Sequence, residues 1–125
     1  MLTFIEGLPS DVLAIQATGN ITHADYRDKL IPKAEALIAK GPIRILYVVD
    51  HDFSGFELEA LWDDSKFGLK HWNDFSHIAV VADQTWLRNA VSMFTPLISG
   101  EVRLFKLSEL SAAKAWIGKT TVPAA

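Results

Sequence analysis

The segment Asp50-His51-Asp52-Phe53-Ser54-Gly55 brings an imidazole, two carboxylates, a hydroxyl and a glycine into one short stretch. It follows Ile43–Val49, a run continuous enough to read as a central strand buried on both faces. In parallel α/β sheets ligands gather at the carboxyl ends of the strands, where this segment must lie. Three chemistries can be drawn from it. A hydrolytic triad of Ser54, His51 and an aspartate lacks the Gly-x-Ser-x-Gly elbow, and residues so close in sequence rarely converge productively. A metal centre needs three or four converging ligands, and His23, His71 and His77 show no metal-motif spacing relative to the cluster. No catalytic residue and no metal ligand is therefore assigned. The third chemistry is phosphorylation of Ser54. At or next to a helix N-terminus, a phosphoserine would be favoured by free N–H groups and by the helix dipole. It would present about two negative charges to a partner. The alternative is that Ser54 caps the helix and Gly55 permits the turn.

A second candidate surface lies in the helix expected from about Phe56 to Trp72. Leu58, Leu61, Trp62, Ser65, Leu69 and Trp72 fall on one stripe, which should face the sheet. Phe56, Ala60 and Phe67 fall nearly opposite. Exposed there, the two phenyl rings would suit a protein partner, a second copy of the chain or a lipid tail. The alternative is that Gly68 ends the helix and turns Phe67 inward. Asp63, Asp64 and Lys66 suggest a solvated face of weak ion pairs. Lys70 and His71, beside the rings, would suit an anionic head group. Phe53, Phe56, Phe67, Lys70 and His71 are thus the candidate ligand or partner surface, with Asp50, His51, Asp52 and Gly55 as the loop beside it.

The elements that must position these residues follow from period and punctuation. Leu2–Glu6 and Val12–Thr18 alternate and are joined by a turn cluster, Gly7-Leu8-Pro9-Ser10-Asp11, which predicts an antiparallel hairpin. Leu13, Ile15 and Ala17 should share one face of the second strand, with Val12, Ala14, Gln16 and Thr18 on the other. Thr22 is a natural N-cap for a helix over about 23–40, bent by Pro32 and stopped by Gly41-Pro42. His77–Ala82 reads as another inner strand. Asp83 should cap a helix over about 84–98 with Trp86, Leu87, Ala90, Val91, Phe94, Leu97 and Ile98 on a broad apolar arc. Val102–Leu107 is the last strand, and Ser108 with Glu109 starts a final helix to about Lys119. One domain over 1–119 and a frayed tail over 120–125 are expected. The order is ββαβαβαβα, whose single-helix connections require right-handed crossovers and a mostly parallel five-stranded sheet.

Composition narrows the partners. Half of the 125 residues are hydrophobic, 22% are charged and the net charge is −3, which suits a globular chain with no general affinity for nucleic acid. Trp62, Trp72 and Trp86 are expected in the core, while Trp116 lies off the last helix's Leu110–Ala113–Ile117 stripe. With no dense basic patch near them, base stacking has little support. There is no cysteine, so neither a disulfide nor a thiol nucleophile is available. Met1–Gly7 lacks the basic start and apolar run of a signal peptide, and no segment is long enough to span a bilayer. Cytoplasmic residence, with peripheral membrane contact if the aromatic surface is used, is the expectation.

The element order, and Asp52-Phe53-Ser54-Gly55 after the third strand, resemble STAS domains of the anti-sigma-factor antagonist type. There the matching segment is Asp-Ser-Ser-Gly, and Ser54 stands where those domains are phosphorylated by a partner kinase. Phe53 replaces the first serine. The chain is similar over nearly its whole length to SpoIIAA-like, or STAS/SEC14-like, proteins. That likeness is carried by Ala24-Asp25-Tyr26 with the later Pro32, Asp52-Phe53-Ser54-Gly55, Trp62-Asp63-Asp64, Lys66-Phe67-Gly68 and Lys70-His71. The resemblance implies a right-handed (βα)n superhelix with its first strand antiparallel. It also implies a non-enzymatic module without a cofactor, binding a lipid-like small molecule or membrane surface, or switched by Ser54 toward a protein partner. Homodimerisation through the second helix fits the same reading.

Overall fold

In the computed structural model, residues 1–56, 75–97 and 100–119 are described. The hairpin forms as its alternation requires. Strand β1 (Leu2–Phe4) pairs antiparallel with β2 (Val12–Ala17), in a register that sets Leu2 opposite Ala17 and Phe4 opposite Ile15. A short strand β3 (Asn20–Ile21) follows, and then a helical segment that changes its winding.

That segment is α1 (His23–Asp25), a π-helical stretch (Tyr26–Leu30) and α2 (Ile31–Ile38). Thr22 caps it as expected: its hydroxyl accepts the Asp25 N–H at 3.1 Å, and the Asp25 carboxylate accepts the Thr22 N–H at 2.9 Å. Pro32 has no N–H to give to the preceding turn. Just before it the winding widens, with the Ile31 N–H reaching back five residues to the Tyr26 carbonyl. The wide turn sends both Tyr26 and Leu30 into the core.

Strand β4 (Ile43–Val49) is central and β5 (Gly55–Phe56) is a two-residue strand; β6 (Phe75–Val81) and β7 (Glu101–Phe105) complete the set. The main sheet runs β1-β2-β4-β6-β7, antiparallel at the first pair and parallel in the rest. Because neighbours in space are neighbours in sequence, crossovers of one hand place their helices on one face. Leu37 and Ile38 of α2, with Leu87 and Val91 of α3 (Thr85–Phe94), accordingly pack on one core with Leu13, Ile15, Ala17 and Ile21. The opposite face is covered by α4 (Leu110–Lys119). Its Ala113 and Ile117 meet Val12, Ala14, Leu46, Val48, Ala79 and Val81. The two faces read from the alternation of β2 are the two cores.

One buried charge belongs to this cover. Arg44, at the start of β4, is 5% exposed. Its guanidinium makes a two-pronged pair with the Asp11 carboxylate and donates to the Ile117 carbonyl at 2.6 Å, tying α4 to the sheet. At the entry to β7, a side chain on Gly100 would collide with the carbonyl oxygens of Phe75 and Ser76, so only glycine lets the two backbones approach.

Two helix starts differ from expectation. Asp83 does not cap α3; its Oδ1 accepts the Leu107 N–H at 2.9 Å, and Gln84 takes the cap position without a side-chain bond. A long-range donor on the next strand's loop has outcompeted the local one. The last helix opens through a 3₁₀ turn (Leu107–Glu109) in which Glu109, not Ser108, makes the reciprocal bond, accepting the Lys106 N–H at 2.8 Å.

Candidate functional site

The carboxyl ends of β2, β4, β6 and β7 form one edge, and the loops leaving them are stitched together. Asp50 begins the loop after β4. Its N–H donates to the Ala17 carbonyl at the end of β2. Its own carbonyl accepts from the Phe53 N–H at 3.2 Å and from the Gln84 side-chain amide at 3.0 Å, which joins it to the loop after β6. The Ser54 N–H donates to the Gly19 carbonyl at 2.8 Å, and Gly55–Phe56 then pair in parallel with Asn20–Ile21. Gly55 lies at φ +135°, a conformation that side chains rarely adopt, and this explains glycine at the turn into β5.

This geometry corrects the start of the second helix, expected at about Phe56. The backbone after Ser54 is extended through Phe56, so no helix begins at Ser54–Phe56. The pull toward a ladder with Asn20–Ile21 has won over the serine's capping propensity. Ser54 is exposed, and its hydroxyl makes no hydrogen bond among the described residues. His51 and Asp52 are exposed beside it. Nε2 of His51 lies 3.8 Å from Oδ2 of Asp83, an ion pair when the imidazole is protonated, and no hydrogen bond joins His51 to Ser54. Asp50 instead uses Oδ1 to accept the His51 N–H at 2.8 Å, a local loop bond. Among the described residues no three acidic or imidazole groups converge on a point that could hold a metal.

Phe53 is also corrected. It is 9% exposed and belongs to the core, because the tight turn at Asp50 folds its ring under the edge. The exposed ring is its neighbour's: Trp86, expected in the core, is 56% exposed and stacks on Phe53 with centroids 6.2 Å apart and planes 23° from parallel. The apolar arc of α3 is wider than the face the sheet can cover, and Trp86 falls at its margin. Phe53 is therefore the floor and Trp86 the surface. Phe67, Lys70 and His71, like the expected helix over 56–72 beyond Phe56, lie outside the described residues.

Sequence reasoning missed the contribution of the next two strands. Arg88 donates through one nitrogen to the carbonyls of Ala82 and Phe105, both at 2.9 Å, bridging the ends of β6 and β7. Asp83, Thr85, Arg88, Lys106 and Ser108 line a cleft there. The carboxyl-end rule that singled out Asp50–Gly55 would have found them if applied to β6 and β7 as well.

Other marked residues prove structural. Asp25 is drawn upward by burial. The N–H and hydroxyl of Thr22, the amino terminus and Lys29 together outweigh this, holding its carboxyl below the usual carboxylate range. Tyr26 is 1% exposed, its hydroxyl 3.5 Å from that of Tyr47. At the amino edge, His77 contacts Trp116 edge-on at 5.7 Å, and its imidazole is held below its usual value by burial, against the opposing pull of Glu101.

With this arrangement in view, the SpoIIAA-like family model matches residues 12–118. The chain belongs to the SpoIIAA-like family. It is also similar to an uncharacterized protein of the DUF3478 family from Shewanella loihica PV-4, whose crystal structure has a SpoIIAA-like fold. The two are 28% identical, the match covers 93% of each chain, and the TM-score is 0.74. No curated protein matches the chain. The SpoIIAA-like match spans every main-sheet strand except β1, so the carboxyl-edge loops lie inside the family's shared fold. Among the described residues no helix is long and apolar enough to cross a membrane.

Proposed function

We propose that this chain is a non-enzymatic binding module whose ligand is an amphiphile, either a lipid-like small molecule or a membrane surface, received at the carboxyl edge of the sheet. The observation that carries the reading is the exposed indole of Trp86 stacked on the buried Phe53 ring. A large apolar face costs solvation when left in water, and here the buried Phe53 ring backs the exposed indole. Lys70 and His71 are the family-matched cations this reading assigns to a head group. The test is native mass spectrometry of the chain purified from its own host, followed by titration with neutral vesicles while Trp86 fluorescence is read. Retained lipid and a blue shift that disappears in Trp86→Ala are expected. A wild-type chain that carries no ligand and ignores vesicles would falsify the proposal.

A second reading is favoured by a different observation. Ser54 is exposed with an unengaged hydroxyl, on a loop whose backbone is fixed on both sides. Such a serine is presented to a kinase without local unfolding, and the phosphoserine would alter the charge of a surface facing a protein partner. Absence of the phosphoryl mass from host-purified protein in every growth state would remove this reading.

A further inference from the structure

We propose that the cleft lined by Asp83, Thr85, Arg88, Lys106 and Ser108 is a site for a phosphate-type anion, with Arg88 and Lys106 as its cationic contacts. The proposal deepens the amphiphile reading by naming a head group, and rests on that reading only for the apolar part of the ligand.

The cleft is open to solvent and offers about 420 Å³, room for a phosphoryl group and part of what carries it. Arg88 is half-buried and fixed. One nitrogen holds the carbonyls of Ala82 and Phe105, leaving the rest of the guanidinium fork without a hydrogen-bond partner among the described residues. A guanidinium already oriented and partly desolvated suits the oxygens of a phosphate, because little ordering remains to be done on binding. Lys106 also lines the cleft, is exposed, and forms no ion pair among the described residues. Lys33, Lys40 and Lys114 likewise form none among those residues, whereas Arg27, Lys29, Arg44 and Arg103 each lie within reach of an acid; what sets Lys106 apart is that it shares a cleft with Arg88. Two cations and one carboxylate line the cleft, so its formal charge is positive in a chain of net charge −3.

The acid in the wall forms an ion pair with neither cation. Asp83 directs Oδ1 to the Leu107 N–H and Oδ2 toward His51, and it lies outside ion-pair distance of both cations. The hydroxyls of Thr85 and Ser108 make no hydrogen bond among the described residues and complete a set of neutral donors. A metal cation is disfavoured by the same pair of charges that favours an anion.

The test uses the full chain, labelled with ¹⁵N and titrated with inorganic phosphate against chloride at matched ionic strength. Phosphate-specific shifts of the Thr85, Arg88 and Ser108 amides are expected, and Lys106→Glu, on an exposed side chain that leaves the melting temperature unchanged, should weaken binding roughly tenfold or more. Equal shifts with chloride, or phosphate binding indifferent to Lys106→Glu, would overturn the proposal. Vesicles of phosphatidylcholine with and without phosphatidic acid separate the two readings and the two sources of the anion. Binding only when phosphatidic acid is present, and lost in Lys106→Glu, assigns the site to a lipid head group. Phosphate binding without binding to either vesicle supports the anion site with a soluble phosphate and removes the amphiphile. Equal binding to both vesicles with no response to phosphate supports the aromatic surface and overturns the anion site.

Discussion

The two edges of the sheet use similar residues to opposite ends. At the amino edge, Arg44 is buried between Asp11 and the Ile117 carbonyl, Arg103 lies 3.4 Å from Glu101 and over the Trp116 ring, and His77 is wedged against that same indole. At the carboxyl edge, Arg88 satisfies backbone carbonyls but no acid, Lys106 has no counter-ion among the described residues, and Trp86 offers a face to solvent. An arginine, a second cation and a tryptophan occur in both places. What differs is whether the molecule completes their interactions itself. A charge closed by internal partners holds the fold together, and one left open by an otherwise well-ordered wall is available to a ligand.

The largest expected effect at the amino edge is Arg44→Ala. It leaves the Asp11 carboxylate and the Ile117 carbonyl without their donor and should lower stability by about 2–4 kcal/mol in urea unfolding. The lower end is favoured because Asp11 is partly exposed and water can take over its solvation. Next comes a matched pair of truncations. Trp116→Ala removes a half-buried ring packed on His77 and Phe105 and should cost about 2–3 kcal/mol. Trp86→Ala should cost no more than about 1 kcal/mol, while its main consequence appears in vesicle binding. Equal stability losses would break the distinction between the edges.

A smaller effect concerns pH. His77 has a folded-state value below the usual 6.5, so between those two values the unfolded chain holds more protons than the folded one. The stability it contributes is complete above 6.5 and is lost as the pH falls through the folded-state value. Thermal melts across mildly acidic pH should show the loss in the wild type and not in His77→Gln. The smallest effect is that of Lys106→Ala, within about 0.5 kcal/mol of the wild type in the same melts. A larger loss would mean that this cation already has a partner and is not open.

Much of this arrangement was legible in the chain. Ile43–Val49 is the strand its continuous run suggested, and the alternation of Val12–Thr18 separates the two cores. The hairpin, the parallel strand order and the Thr22 cap follow from short-range signals that nothing distant opposes. The misses share one cause, competition from residues far away in sequence. β3 and β5 are too short to show a period, and their pairing across more than thirty residues puts Phe56, where a helix was expected to begin, in a strand. Asp83 gave up its cap to an N–H on the loop after β7. Trp86 and Phe53 exchanged expected roles, because hydropathy marks a residue as apolar but does not say which of two touching rings lies outermost. At the site, the loop Asp50–Gly55 could be located from strand order alone. The cleft at Arg88 lies at the same edge and could be located in the same way, but which of its charges lack counter-ions depends on the folded geometry.

The short ladder between Asn20–Ile21 and Gly55–Phe56 has a consequence in time. It closes a long stretch of chain for only a few hydrogen bonds, so its formation must wait until β2 and β4 have brought their ends together. Only two residue pairs hold the Gly55–Phe56 side of this ladder, so local opening there need not disturb the main sheet. The amides of Ser54 and Phe56 should therefore exchange with solvent faster than those of Leu46 and Val48. An occupant of the carboxyl edge would slow them first, and exchange at these positions can report binding before its chemistry is known.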